Sequence, residues 1–156
     1  MALSLFILGA CKQHVATENK ELEKKMIGEW NSTSLKITMN TFGNKDTTKV
    51  FEVEENNWEN KMNIRPVKTI YFADGSYMAE HKDLNDSVIF NPFGKWKILD
   101  DTIILRDTFP EQGPAFKYKV VINTNIAEFF GKEDCDNDGK ADDDYYGVQR
   151  KRSLRK

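Results

Sequence analysis

From Trp96 to Arg106 the chain reads Trp-Lys-Ile-Leu-Asp-Asp-Thr-Ile-Ile-Leu-Arg, two apolar runs on either side of an aspartate pair. If Asp100 and Asp101 form a two-residue turn, Ile98 faces Ile103 and Trp96 faces Leu105. One face of the pair is then wholly apolar, while Lys95, Lys97 and Arg106 share the other. Side chains alternate from face to face along a strand, so a slip of one residue would bury the charges. This hairpin specifies its own register, and it commits the region to antiparallel sheet.

The same pattern recurs along the chain. Thr69–Ala73 and Ser76–His81 flank Asp74-Gly75, a two-residue turn signal that places Ile70, Phe72 and Tyr77 inward. Phe116, Tyr118, Val120 and Ile122 alternate with Lys117 and Lys119, and Asn123-Thr-Asn125 turns the chain into Ile126–Phe130. A last strand is expected over about Tyr145–Arg152. Upstream, Leu35-Lys-Ile-Thr-Met39 alternates as a half-buried strand does, and Thr47–Val53 is a second candidate. Two segments read as helices instead. One starts at Thr17 as cap, pairs Glu21 with Lys24 and Lys25, sets Leu22 and Met26 on one face, and stops at Gly28. The other lies within Glu54–Asn63, with Asn56 or Asn57 as cap and Trp58 and Met62 one turn apart. Seven or eight antiparallel strands with two short helices predict an all-β, up-and-down barrel of about eight strands.

Charge and cysteine content narrow the classes of function. The formal net charge is −2, and a nucleic-acid partner demands a basic face, so none is expected. The two cysteines, Cys11 and Cys135, offer no disulfide framework. The domain therefore depends on its core, and a monomer is expected.

Residues 133–144 carry seven acidic side chains, ordered as Asp134-Cys-Asp136-Asn-Asp138-Gly139-Lys140-Ala-Asp142. Oxygen ligands at loop positions 1, 3 and 5, glycine at 6 and an acid at 9 follow the calcium-loop spacing of EF-hands. The carbonyl of Lys140 is the expected backbone ligand. Position 12 is Tyr145 rather than glutamate, so Asp143 or Asp144 is expected to supply the remaining carboxylate. The flanks read as strands, which gives a structural Ca2+ loop without helices. A solvated acidic hairpin is the plainer reading of the same residues.

The first eleven residues, Met-Ala-Leu-Ser-Leu-Phe-Ile-Leu-Gly-Ala-Cys, end in Leu8-Gly9-Ala10-Cys11, which resembles the lipobox of bacterial lipoproteins. The run is too short for a bilayer, which needs about 20 apolar residues, and it fits the core of a signal peptide. No basic residue precedes it, so a basic n-region is expected upstream of Met1. The resemblance implies cleavage before Cys11, a diacylglycerol on its sulfur, a tether over residues 11–17 and a domain over 18–156. It also implies the cell envelope, with the outer membrane favoured by Lys12 at the second position.

An N-terminal helix running into Gly28-Glu29-Trp30, a β-meander, and a late arginine resemble the lipocalin-like domains of secreted bacterial lipoproteins of the Bacteroidetes type. The resemblance implies that Gly28 and Trp30 open the first strand, that the indole closes one barrel end, and that Arg150 lies against it. It also implies an interior or mouth that takes a small hydrophobic ligand. Phe72, Tyr77, Trp96 and Tyr118 are the wall candidates, and Trp58 and Met62 the lid.

Catalytic constellations are mostly absent from the sequence: the many carboxylates could include a catalytic pair, but no spacing in a β-meander singles one out. His14 falls in the tether and His81 near a strand end, and Ser76, Ser87 and Ser153 have no motif around them. Cys135 sits between aspartates that disfavour its thiolate. The expected function is a non-catalytic, lipid-anchored ligand-binding barrel. Two alternatives stay open: a filled barrel serving as an interaction module of the outer membrane, and an accessory or inhibitor protein of an envelope enzyme.

Overall fold

A computed structural model describes residues 18–153. Residues 1–17, with the lipobox-like segment, Cys11, His14 and the expected cap Thr17, lie outside the described residues. Helix α1 covers 18–26 and is followed by strands β1 (Gly28–Met39) and β2 (Lys49–Val53), then helix α2 (Trp58–Met62). Strands β3 (Lys68–Tyr71), β4 (Ser76–Lys82), β5 (Val88–Phe90) and β6 (Phe93–Leu99) come next. They lead to β7 (Thr102–Phe109), β8 (Ala115–Asn123), β9 (Ile126–Glu133) and β10 (Asp143–Lys151).

Eight of these strands form a closed antiparallel barrel in the order β1-β3-β4-β6-β7-β8-β9-β10, with β10 pairing back to β1. Strand β2 extends the far half of β1, and β5 folds onto β4. The central hairpin has the register that its sequence demands, Ile98 opposite Ile103 and Trp96 opposite Leu105. Ile103 is fully buried, and Ile98 and Trp96 nearly so, which leaves the lysine face to solvent.

The β3–β4 turn departs from expectation by one residue. The Phe72 N–H donates to the Ser76 carbonyl and the Gly75 N–H to the Phe72 carbonyl, so three residues turn the chain rather than two. Gly75 takes φ +77°, the left-handed bulge position of such a loop. Tyr71 therefore pairs with Tyr77, and Thr69 and Tyr71 face the core. Ile70 and Phe72 point outward, because a slip of one residue exchanges the faces of the whole strand.

One end of the barrel is closed. Helix α1 lies across it with Met26 fully buried and Leu22 packed on the core. Beneath it, Trp30 is also fully buried, and its indole Nε1 donates to the Met26 carbonyl at 2.7 Å. Gly28 enters the first strand at φ +133°, a conformation that a side chain would strain. Met26, Trp30, Tyr71, Trp96, Ile98, Ile103, Val120, Ile122 and Ala127 make a continuous core at this end.

Candidate functional site

The cation over Trp30 is Lys151, not Arg150. Strand pairing sets Trp30 opposite Lys151, whose Nζ lies 5.2 Å from the indole centroid and donates to the Lys25 carbonyl at 2.7 Å. Residues 145, 147, 149 and 151 form the inward row of β10. Arg150 falls on the other face with Tyr146 and Val148 and binds Glu55 through two bonds of 2.6 and 3.0 Å. Gly28 and Trp30 take the expected closing positions, and the arginine is replaced by its neighbour in the chain.

Beyond the core, towards the opposite end, the barrel holds a cavity of about 410 Å³. Its inner wall consists of Tyr71, Tyr77, Leu105, Phe116, Tyr118, Phe129 and Tyr145. Gly147 makes room there, since a Cβ on it would meet the Tyr145 ring at 2.8–3.1 Å. Helix α2 roofs one side with Trp58 and Met62, and Phe90 and Pro92 of the β5 hairpin border another. Four of the six expected ligand-binding residues, Trp58, Met62, Tyr77 and Tyr118, thus meet at one cavity. Phe72 and Trp96 do not join them. Phe72 is 41% exposed beside the closed-end turn, where its carbonyl accepts from Trp96 Nε1 at 3.1 Å, and Trp96 is core.

The wall also holds polar residues that no sequence motif singled out: His81, Asp107, Gln149, Ser32, Ser34 and Thr69. The signal was the strand period carried past the last apolar residue, since Tyr77-Ala79-His81 and Leu105-Asp107 continue the inward rows. The Tyr77 hydroxyl donates to the Asp107 carboxylate. Burial pushes the Tyr71, Tyr77 and Tyr118 phenols far up, and Tyr145 to about 12, so all four stay neutral donors. Burial also lowers the His81 imidazole, which favours its neutral form. Two polar atoms of lining residues, Trp58 Nε1 and Gln149 Oε1, are buried without a hydrogen-bond partner. Around the mouth Val88, Ile89, Phe90, Phe93 and Phe109 are all between 45% and 56% exposed, an apolar rim.

The acidic loop joins β9 to β10 at this same open end. Single oxygens of Asp134, Asp136 and Asp138 lie within 4.8 Å of one another, the span of two Ca–O bonds of about 2.4 Å. The loop is braced by the β1–β2 connection. The Gly43 N–H donates to Asp136 at 2.6 Å, Lys140 Nζ to Asn44 at 2.6 Å, and Thr41 to Asp142 at 3.3 Å. Asp138 Oδ2 and Asp142 Oδ1 have no hydrogen-bond partner. Asp143 is 1% exposed and accepts the Cys135 and Asp136 N–H groups at 2.7 and 3.3 Å, while Asp144 pairs with Lys132 at 2.6 Å. Both carboxylates are thus engaged within the fold. The Cys135 thiol is pushed up to about 11 by burial first and by the Asp143, Glu133, Asp134 and Asp136 charges after it.

The fold defines a class, a closed eight-stranded antiparallel barrel with two short helices, compatible with the lipocalin-like architecture. No protein-family model matches the chain, and no curated protein matches it.

Proposed function

We propose that this protein is a non-catalytic, lipid-anchored barrel of the bacterial outer membrane that holds a small hydrophobic ligand, with a structural calcium loop at its open end. The observation that carries the ligand reading is the 410 Å³ cavity under α2, within the range of about 300–1,000 Å³ typical of small-molecule sites. An eight-stranded barrel has room either for packed side chains or for one ligand, and the cavity favours the second over a filled interaction module. Its aromatic walls suit an apolar body. The test is titration with a neutral fluorescent probe, N-phenyl-1-naphthylamine, which should bind one-to-one. Trp58→Ala should weaken that binding while the barrel stays folded, and a folded protein with no saturable binding refutes the reading.

Calcium is proposed on the convergence of Asp134, Asp136 and Asp138 and on the two unpartnered oxygens of Asp138 and Asp142. A cation bound by the native state alone stabilises it by about 2.7 kcal/mol at a hundredfold excess over Kd. The melting temperature should rise with Ca2+, and the rise should vanish in Asp136→Ala/Asp138→Ala. A melting curve indifferent to Ca2+ and chelator refutes the site. Anchoring rests on the Leu8–Cys11 lipobox, with each buried CH2 of the acyl chains worth about 0.8 kcal/mol. An alkynyl fatty acid should label the native chain and not Cys11→Ala, and equal labelling refutes the anchor.

A further inference from the structure

Among the described residues, the cavity wall contains no lysine and no arginine. Its only ionisable acid or base groups besides the phenols are His81, neutral through burial, and Asp107. The Asp107 carboxylate forms no ion pair among the described residues, and the one hydrogen bond it accepts there comes from the Tyr77 hydroxyl. One donor leaves most of a carboxylate's lone pairs open. A second acid acts on the same wall, because the Glu133 charge is among the causes that raise the Tyr118 phenol, after burial and Tyr145. A ligand carboxylate would enter this space without a cation to meet it and beside a like charge, and both effects oppose binding. An ammonium meets the reverse situation, a carboxylate with free lone pairs in a wall that includes the aromatic rings of Tyr77, Tyr118 and Trp58, the kind of group that attracts cations.

We infer that the cavity selects a cationic amphiphile, an apolar chain or ring system bearing an ammonium group that is held by Asp107, and that it rejects the carboxylates of fatty acids. This inference rests on the ligand-binding reading above and adds the charge of the ligand to it.

The test uses the full chain carrying Cys11→Ser, which keeps it free of detergent, and displacement of bound N-phenyl-1-naphthylamine by three molecules of equal chain length. Dodecylamine should displace at the lowest concentration, 1-dodecanol should come next, and dodecanoate should need at least about tenfold more than the amine. Asp107→Asn keeps the Tyr77 partner and removes the charge, so it should narrow that gap to about threefold or less. The native protein's order of displacement is a test in itself if the variant fails to fold. Dodecanoate displacing as well as dodecylamine overturns the charge preference and leaves the cavity reading in place, as does a gap that a folded Asp107→Asn preserves. Failure of the probe to bind the native protein overturns both.

Discussion

Replacing Trp30 with alanine tests the closed end of the barrel. A buried indole removes about 150–250 Å² from water, which at about 25 cal/mol per Å² is worth about 4–6 kcal/mol. Residual burial in the unfolded chain lowers this by about 10–40%, to the range of about 3–5 kcal/mol found for large aromatic truncations. The lost hydrogen bond from Nε1 to the Met26 carbonyl adds about 1 kcal/mol. Native domains hold about 5–15 kcal/mol in total, so Trp30→Ala should fall near the edge of folding. With a urea dependence of about 2 kcal/mol per M, the midpoint should drop by about 2–3 M. Trp30→Phe should fall between, since it keeps most of the area and loses the bond to Met26. Arg150→Ala is the control, because its pair with Glu55 is exposed and worth about 0–1 kcal/mol. Chemical denaturation followed by far-ultraviolet circular dichroism measures all three. A midpoint drop below about 0.5 M for Trp30→Ala, or an Arg150→Ala cost equal to it, would refute the assignment of Trp30 and Lys151 as the plug.

Cys135 should alkylate about a hundredfold more slowly at pH 8 than in the urea-unfolded chain, since its thiol rises from 9.0 to about 11 and only the thiolate reacts; iodoacetamide labelling followed by mass spectrometry measures the ratio. A thiol raised by folding keeps its proton longer in the native state, so its contribution is present below pH 9.0 and lost as pH rises towards about 11. Stability of Cys135→Ser should therefore fall less steeply than that of the native protein across that window, as thermal melts at stepped pH will report. Asp143→Ala should cost about 1–3 kcal/mol by leaving the part-buried Cys135 and Asp136 N–H groups without their acceptor; hydrogen exchange of those two amides should quicken. Ile103→Ala, at a fully buried position, should cost about 2–5 kcal/mol in a denaturant melt.

The barrel was legible wherever a strand pair carried unambiguous alternation. The hairpin about Asp100-Asp101 was readable because any other register buries lysine. The pair about Asp74-Gly75 was not, because Ile70, Phe72, Thr69 and Tyr71 offer apolar or neutral side chains on both faces. There only the bulge at Gly75 decides which row turns inward. The cation at the closed end failed for a related reason. Arg150 and Lys151 are adjacent, and parity along β10 is set by Tyr145 and Gly147 facing the cavity. Within the site, apolar residues were found by pattern and polar ones were not. Asp107 and His81 look like ordinary strand-end residues until the barrel closes around them. The bracing of the acidic loop by Thr41, Gly43 and Asn44 joins segments about ninety residues apart, which no local pattern announces.

The seam between β1 and β10 sets the order in which this molecule is assembled. The Arg152 N–H bonds the Glu29 carbonyl at 2.8 Å, so the first strand of the barrel finds its second neighbour only when the last strand has been made. Closing a loop of that length costs about 4 kcal/mol of chain entropy, and topologies dominated by such distant pairs fold slowly. Until then β1 and β9 each present an unpaired edge, the kind of surface that recruits other chains into aggregates. The finished cylinder has no such edge along the seam, and its opening strand and closing strand lie side by side. A circular permutant cut at the Thr124-Asn125 turn, with a short linker joining the old ends, should therefore rebuild the same barrel from a different starting point.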